Sequence, residues 1–128
     1  MFCTLLTWNV LHRYHEEKYV PESKTLEKFP DENIRIKKSI NLIKKLTADN
    51  NNYIICLQEV SGDLLEELDK EFSNNYLIIN YPHNRTPGEN IKGHVYKNPK
   101  EYLVTMLQNN LIKSFDYNLE IYQFQMEG

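Results

Sequence analysis

The chain has 128 residues, enough for one domain with its own core and too few for two. With 41% hydrophobic and 12% aromatic residues it has the material for a core, which argues against wholesale disorder, and a net charge of −3 gives no global attraction to nucleic acid, which argues against a general nucleic-acid-coating module. Two cysteines are too few for a disulfide scaffold and no apolar run reaches membrane-spanning length, so an intracellular, reducing setting with no membrane contact is expected.

Cys3 to Asn9 (Cys-Thr-Leu-Leu-Thr-Trp-Asn) reads as a first strand. It is expected to be a strand and not a signal peptide, because no basic residue precedes it and Asn9, His12 and Arg13 interrupt it early. His12 to Pro30 reads as a charged, aromatic loop with prolines at 21 and 30. Asp31 suits an N-cap, opening a helix to about Ala48 with Ile36, Ile40 and Ile43 on its apolar stripe. Leu42 and Leu46 widen that stripe, and Arg35, Lys37, Lys38, Asn41, Lys44 and Lys45 lie mostly off it. Asp49 to Asn52 makes a turn into a second strand, Tyr53 to Glu59. Two apolar strands around one helix form a βαβ unit with parallel strands, which brings Asn9 and Glu59 to the same carboxyl edge.

Ser61 caps a second helix whose apolar side carries Leu64, Leu65, Leu68 and Phe72. Tyr76 to Tyr81 is a third strand, and Pro82 to Lys100 is a surface loop of the length that usually carries function. Glu101 to Leu107 and Asn118 to Gln125 are the last strands, joined through a short Leu111–Phe115 segment. Cys3 and Cys56, both inside strands, are expected to be buried free thiols. The fold class is α/β: a mixed sheet with a βαβ start and helices on one face. Five strands and two helices leave the other face and an edge uncovered.

A carboxamide and a carboxylate at adjacent strand ends make an oxygen-donor pair suited to Mg²⁺, with Mn²⁺ as the alternative. Glu59 is either a cation ligand or a carboxylate favoured by the N-terminus of the Ser61 helix. Asn9 either orients a phosphate and touches the metal, or closes an Asx-turn. Strand alternation sends Gln58 to the opposite face from Glu59, as a structural residue. His12, Arg13 and His15 either grip a substrate phosphate or belong to a solvated loop. His83, Arg85, Lys92 and His94 are placed to form a substrate lip on the long loop, or are likewise solvated. Lys37, Lys38, Lys44 and Lys45 make a basic helix face of the ordinary solvated kind.

Thr7-Trp8-Asn9-Val10-Leu11, followed about 50 residues later by Ile55-Cys56-Leu57-Gln58-Glu59-Val60, resembles the opening of the endonuclease/exonuclease/phosphatase superfamily. These are metal-dependent phosphodiesterases and phosphomonoesterases. The Trp-Asn-Val-Leu run with its His- and Tyr-containing loop is most similar to the RNA-deadenylase and 2′-phosphodiesterase branch. The resemblance implies that residues 1–128 are the N-terminal half of a four-layer α/β sandwich, the C-terminal half being absent. It implies a Mg²⁺-dependent phosphoester hydrolase in which Glu59 and Asn9 are catalytic and hold the metal, while Arg35 supports the fold. The substrate would be nucleic acid or a small phosphoester, and the proton-transfer histidine would come from the missing half. No Ser-Asp-His segment is present. By itself the chain is therefore expected to have little activity, and to need a complementary C-terminal polypeptide. The alternative is a non-catalytic remnant that binds a partner through its open sheet face.

Overall fold

The computed structural model describes residues 2–20, 22–84, 90–91 and 94–114. Strand β1 (Thr4–Asn9) leads through α1 (Arg13–Tyr19), the single turn α2 (Thr25–Lys28) and α3 (Glu32–Leu46) into β2 (Tyr53–Ser61). Then follow α4 (Gly62–Phe72), β3 (Tyr76–Pro82), a two-residue pair β4 (Asn90–Ile91) and β5 (His94–Val95), β6 (Glu101–Gln108) and α5 (Asn109–Ser114). The main sheet is four-stranded and mixed, in the order β1-β2-β6-β3. β1 and β2 are parallel and pair Trp8 with Leu57; β6 runs antiparallel to both β2 and β3. The expected α/β class and βαβ opening are therefore present. The strand expected at Asn118 to Gln125 lies outside the described residues.

Register divides the sheet into two faces. Leu6, Ile55, Met106 and Ile78 form one cross-strand row, with Trp8, Leu57 and Val104 in the next on the same face. This inner face shares one core with Ile36, Ile40 and Ile43 of α3 and Leu64, Leu65, Leu68 and Phe72 of α4. Both helices begin as their sequences dictate. Asp31 accepts from the amides of Asn33 and Ile34, and Ser61 from that of Leu64, so each side chain satisfies amides left unpaired at a helix start. The apolar stripe of α3 is narrower than expected: Leu42 and Leu46 remain 42% and 48% exposed, because they flank the row defined by Ile36, Ile40 and Ile43.

The outer face carries the rows Leu5–Ile54–Leu107–Leu77 and Thr7–Cys56–Thr105–Ile79. Leu5, Leu77, Ile79, Tyr81 and Leu103 are all exposed there. The cysteine expectation is corrected by this placement. Cys56 is half-buried on the outer face and Cys3 is exposed, so neither thiol sits in the core.

Two more expectations change. His12 to Pro30 is not an open loop, because α1 and α2 occupy it and His12, Arg13 and Glu16 are buried. The helix α1 (Arg-Tyr-His-Glu-Glu-Lys-Tyr) has no apolar stripe to announce it, and polar contacts hold it instead. The long loop returns against α4. Asp63 accepts from the amides of Lys97 and Asn98, and a Cβ on Gly62 would collide with the Asn98 side chain, so a larger residue there would displace Asn98. No helix among the described residues is long and apolar enough to cross a membrane.

Candidate functional site

The carboxyl ends of β1 and β2 carry the site. Asn9 Nδ2 donates to Glu59 Oε1 at 2.9 Å, joining residues 50 positions apart. The second carboxylate oxygen, Oε2, accepts from the His12 amide at 3.3 Å. Asn9 Oδ1 accepts from the Leu11 amide at 2.9 Å, so the same side chain closes an Asx-turn and aims the carboxylate. The Asx-turn expected as one reading of Asn9 is therefore made, with its oxygen committed to backbone. Glu59 does not cap α4, whose start belongs to Ser61.

Strand alternation breaks at Glu59. The β2–β6 register shifts between Leu57 and Val60, both buried, while Gln58 and Glu59 between them are half-buried and neither enters the core. Gln58 keeps the alternation, following Ile54 and Cys56 onto the outer face, where it pairs with Asn9 in register and donates to Thr7 Oγ1 at 3.1 Å. Glu59 has a φ of 55°, the left-handed region that a side chain disfavours. Leu11, across the site, has a φ of 62°. Two non-glycine residues in this conformation store about 1–3 kcal/mol each, and such strain clusters at functional positions.

A buried ionic network holds this geometry. Glu32 is 1% exposed and takes the Arg35 guanidinium on both oxygens, at 2.8 Å and 2.6 Å. Arg35 in turn donates to the carbonyls of Val10 and Leu11 at 2.6 Å and 2.7 Å. Burial works against the Arg35 charge, but the Glu32 carboxylate outweighs it and holds the pKa above the ordinary arginine value. Arg13 donates to the Phe29 carbonyl and lies 3.5 Å from Glu32. Tyr96, on the returning loop, donates to Glu32 Oε1 and accepts from the Arg13 amide. Burial, with Glu32 next in effect, pushes the Tyr96 phenol well above its usual range, so it stays a donor.

His12 is fully committed. Its Nδ1 accepts from the Tyr14 amide at 3.3 Å and its Nε2 faces the Pro99 carbonyl at 3.0 Å, which fixes the Nε2–H tautomer. Burial lowers its pKa, and neither nitrogen is left to meet substrate. Arg13 is 4% exposed and bound to groups of the protein. His15 is different: partly exposed, it meets Glu101 Oε2 through Nε2 at 2.5 Å and stacks on Tyr19. His83 is exposed at the end of β3 and His94 lies in β5, while Arg85 and Lys92 fall outside the described residues. Lys37, Lys38, Lys44 and Lys45 are exposed along α3, with Lys44 paired to Glu71.

A carboxylate offers about four acceptor positions, and Glu59 uses two, so it retains lone pairs for a cation. Mg²⁺ typically takes one or two protein carboxylates and completes its shell with water and phosphate oxygens. The donor set here fits such a one-carboxylate site, with Asn9 as the residue that orients the ligand. Among the described residues, no group of three or more His, Cys, Asp or Glu side chains is arranged to hold a metal. Sequence reading missed Glu16, Glu32 and Tyr96; the Glu32-x-x-Arg35 spacing was the available signal. No protein-family model, curated protein or solved structure matches this chain.

The strain at Glu59 is measurable by comparing two variants that both lack the carboxylate. Glu59→Gly should be more stable than Glu59→Ala by about 1 kcal/mol, because only glycine adopts a φ of 55° freely. Equal urea midpoints for the two would refute the bulge conformation. The histidine supplies a pH test. His12 titrates below its ordinary 6.5 in the folded chain, so its contribution is complete above pH 6.5 and is lost as pH falls through the folded value. His12→Asn keeps a capping acceptor without the ionisation. Urea unfolding at pH 8 and pH 5 should show a smaller acid-induced loss in this variant than in the natural sequence.

Proposed function

We propose that the Asn9–Glu59 edge is the cation- and phosphate-binding end of a phosphoester hydrolase site, acting on nucleic acid or a small phosphoester with Mg²⁺ or Mn²⁺. The observation that carries this reading is the hydrogen bond between Asn9 and Glu59, made at the carboxyl ends of adjacent parallel strands by a residue in a strained backbone conformation. Open α/β sheets bind ligands at that edge. The endonuclease/exonuclease/phosphatase resemblance of the two strand motifs points the same way. Glu59 would hold the cation, which when bound supplies charge neutralisation at the phosphoryl oxygens. Asn9 keeps the carboxylate aimed, and the second N–H of its amide is a donor for a phosphoryl oxygen. His12 and Arg13 act on the fold and not on substrate, which leaves His15 as the one of the three placed at the site surface.

In this reading the chain supplies one half of a four-layer sandwich, and the groups that orient the nucleophile come from a second half laid on the outer face. The apolar row Leu5, Leu77, Ile79, Tyr81 and Leu103 also favours a second reading, a non-catalytic module that binds a partner's apolar face. Cation binding separates the two. Isothermal titration with Mg²⁺ or Mn²⁺ should give weak, millimolar binding that Glu59→Ala abolishes and Asn9→Ala weakens only a few-fold, since an amide contributes orientation and no full charge. Hydrolysis of RNA or a simple phosphodiester by the 128-residue chain alone should stay near background. Cation binding untouched by Glu59→Ala would defeat the hydrolase reading and leave the binding module.

A further inference from the structure

Both faces of the main sheet are apolar, yet among the described residues only the inner one is covered. A sheet with one face in water normally alternates apolar with polar, and strands that are apolar on both sides belong between two layers. Here the outer positions carry Leu5, Leu77, Ile79, Tyr81 and Leu103, each 42% to 65% exposed. A monomer rarely leaves so extended an apolar patch in water.

Size and charge say what suits this face. Strand spacing and rise give four strands of this length roughly 20 Å on each side. Two such faces in contact would bury on the order of 1,000 Å² in total, which a specific protein interface needs. No charged side chain stands in the outer rows from Leu5 to Leu103. The first one beyond them, Glu101, is engaged with His15 at the margin. The exposed lysines of α3 lie across the sheet, on its helical side. A face without charge meets its own copy with no like-charge repulsion. A two-fold axis along the central row Thr7–Cys56–Thr105–Ile79 lays Leu77 and Leu107 of one copy over Tyr81 and Leu103 of the other, within the roughly 30° that sheet twist imposes.

We infer that the 128-residue chain pairs with a second copy of itself, outer face to outer face, as a closed two-fold dimer. The inference gives the second reading of the open face a named partner, and it does not rest on cation binding at Glu59.

Sedimentation velocity over a concentration series tests this on the same chain. It should run as a dimer at micromolar concentration and assemble no further, because a two-fold contact uses up the face. Ile79→Lys and Leu103→Lys each set an ammonium in the contact and should give monomers. Their far-ultraviolet dichroism should be unchanged, since both side chains are already about half exposed. Cys56, half-buried in the central row, supplies a readout that needs no variant. Its alkylation should slow at least about tenfold from dilute to concentrated protein, while Cys3, exposed ahead of β1, changes less. A chain that stays monomeric, a dimer that survives both lysines, open-ended assembly, or Cys56 labelling that ignores concentration would each overturn the inference. Mg²⁺ titration of the Ile79→Lys variant keeps the two proposals apart, because cation binding at Glu59 should persist in the monomer.

Discussion

The Arg35 guanidinium is held by both oxygens of Glu32 and donates to the carbonyls of Val10 and Leu11, so one side chain on α3 carries the turn that ends β1. That turn bears the residues whose amides meet the site: Leu11 on Asn9 Oδ1 and His12 on Glu59 Oε2. Removing one partner of such a buried pair costs about 3–5 kcal/mol, because a charge is left in the interior unpaired. Lysine is no substitute for Arg35, since it lacks the planar fork that serves two carbonyls and a carboxylate together. The same Glu32 receives the Tyr96 hydroxyl, which fastens the long return loop to the amino end of α3. The β1–α1 turn, the start of α3 and the loop before β6 are thus tied at a single carboxylate.

This arrangement accounts for the tolerance of strain nearby. Leu11 and Glu59 both lie in the left-handed region, and neither is glycine. A chain free to relax would move them to ordinary backbone angles. Arg35 holds the Leu11 carbonyl from below, while the Asn9 amide and the His12 amide hold the Glu59 carboxylate from the side. The strain places a carboxylate at the sheet edge that a regular strand would have turned away. This is the physical link between the clamp and the proposed cation site.

Much of the scaffold was legible because it follows periodicity. Ile36, Ile40 and Ile43 declared α3, Leu64, Leu65 and Leu68 declared α4, and two apolar strands on either side of a helix required parallel pairing. The bulge at Glu59 was not legible, since no glycine or turn residue marks Leu57-Gln58-Glu59-Val60 and alternation was the only rule to apply. Helix α1 escaped because Arg13, His12 and Glu16 are held by groups outside the helix, at Phe29, Pro99 and Thr25. For the same reason His12 and Arg13 looked like surface groups available to substrate: a buried polar network has the same composition as a solvated loop. The cysteines failed in the opposite sense. Position in a strand predicted burial, but burial depends on which face is covered, and among the described residues only the inner one is.

Native-state amide hydrogen exchange in Arg35→Lys tests most directly whether the clamp holds the site. The Leu11 and His12 amides, bonded to Asn9 and Glu59, should lose at least about tenfold more protection than core amides such as those of Ile55 and Met106, because the turn opens locally while the sheet persists. A uniform loss across turn and core, or unchanged protection at Leu11 and His12, would contradict the account.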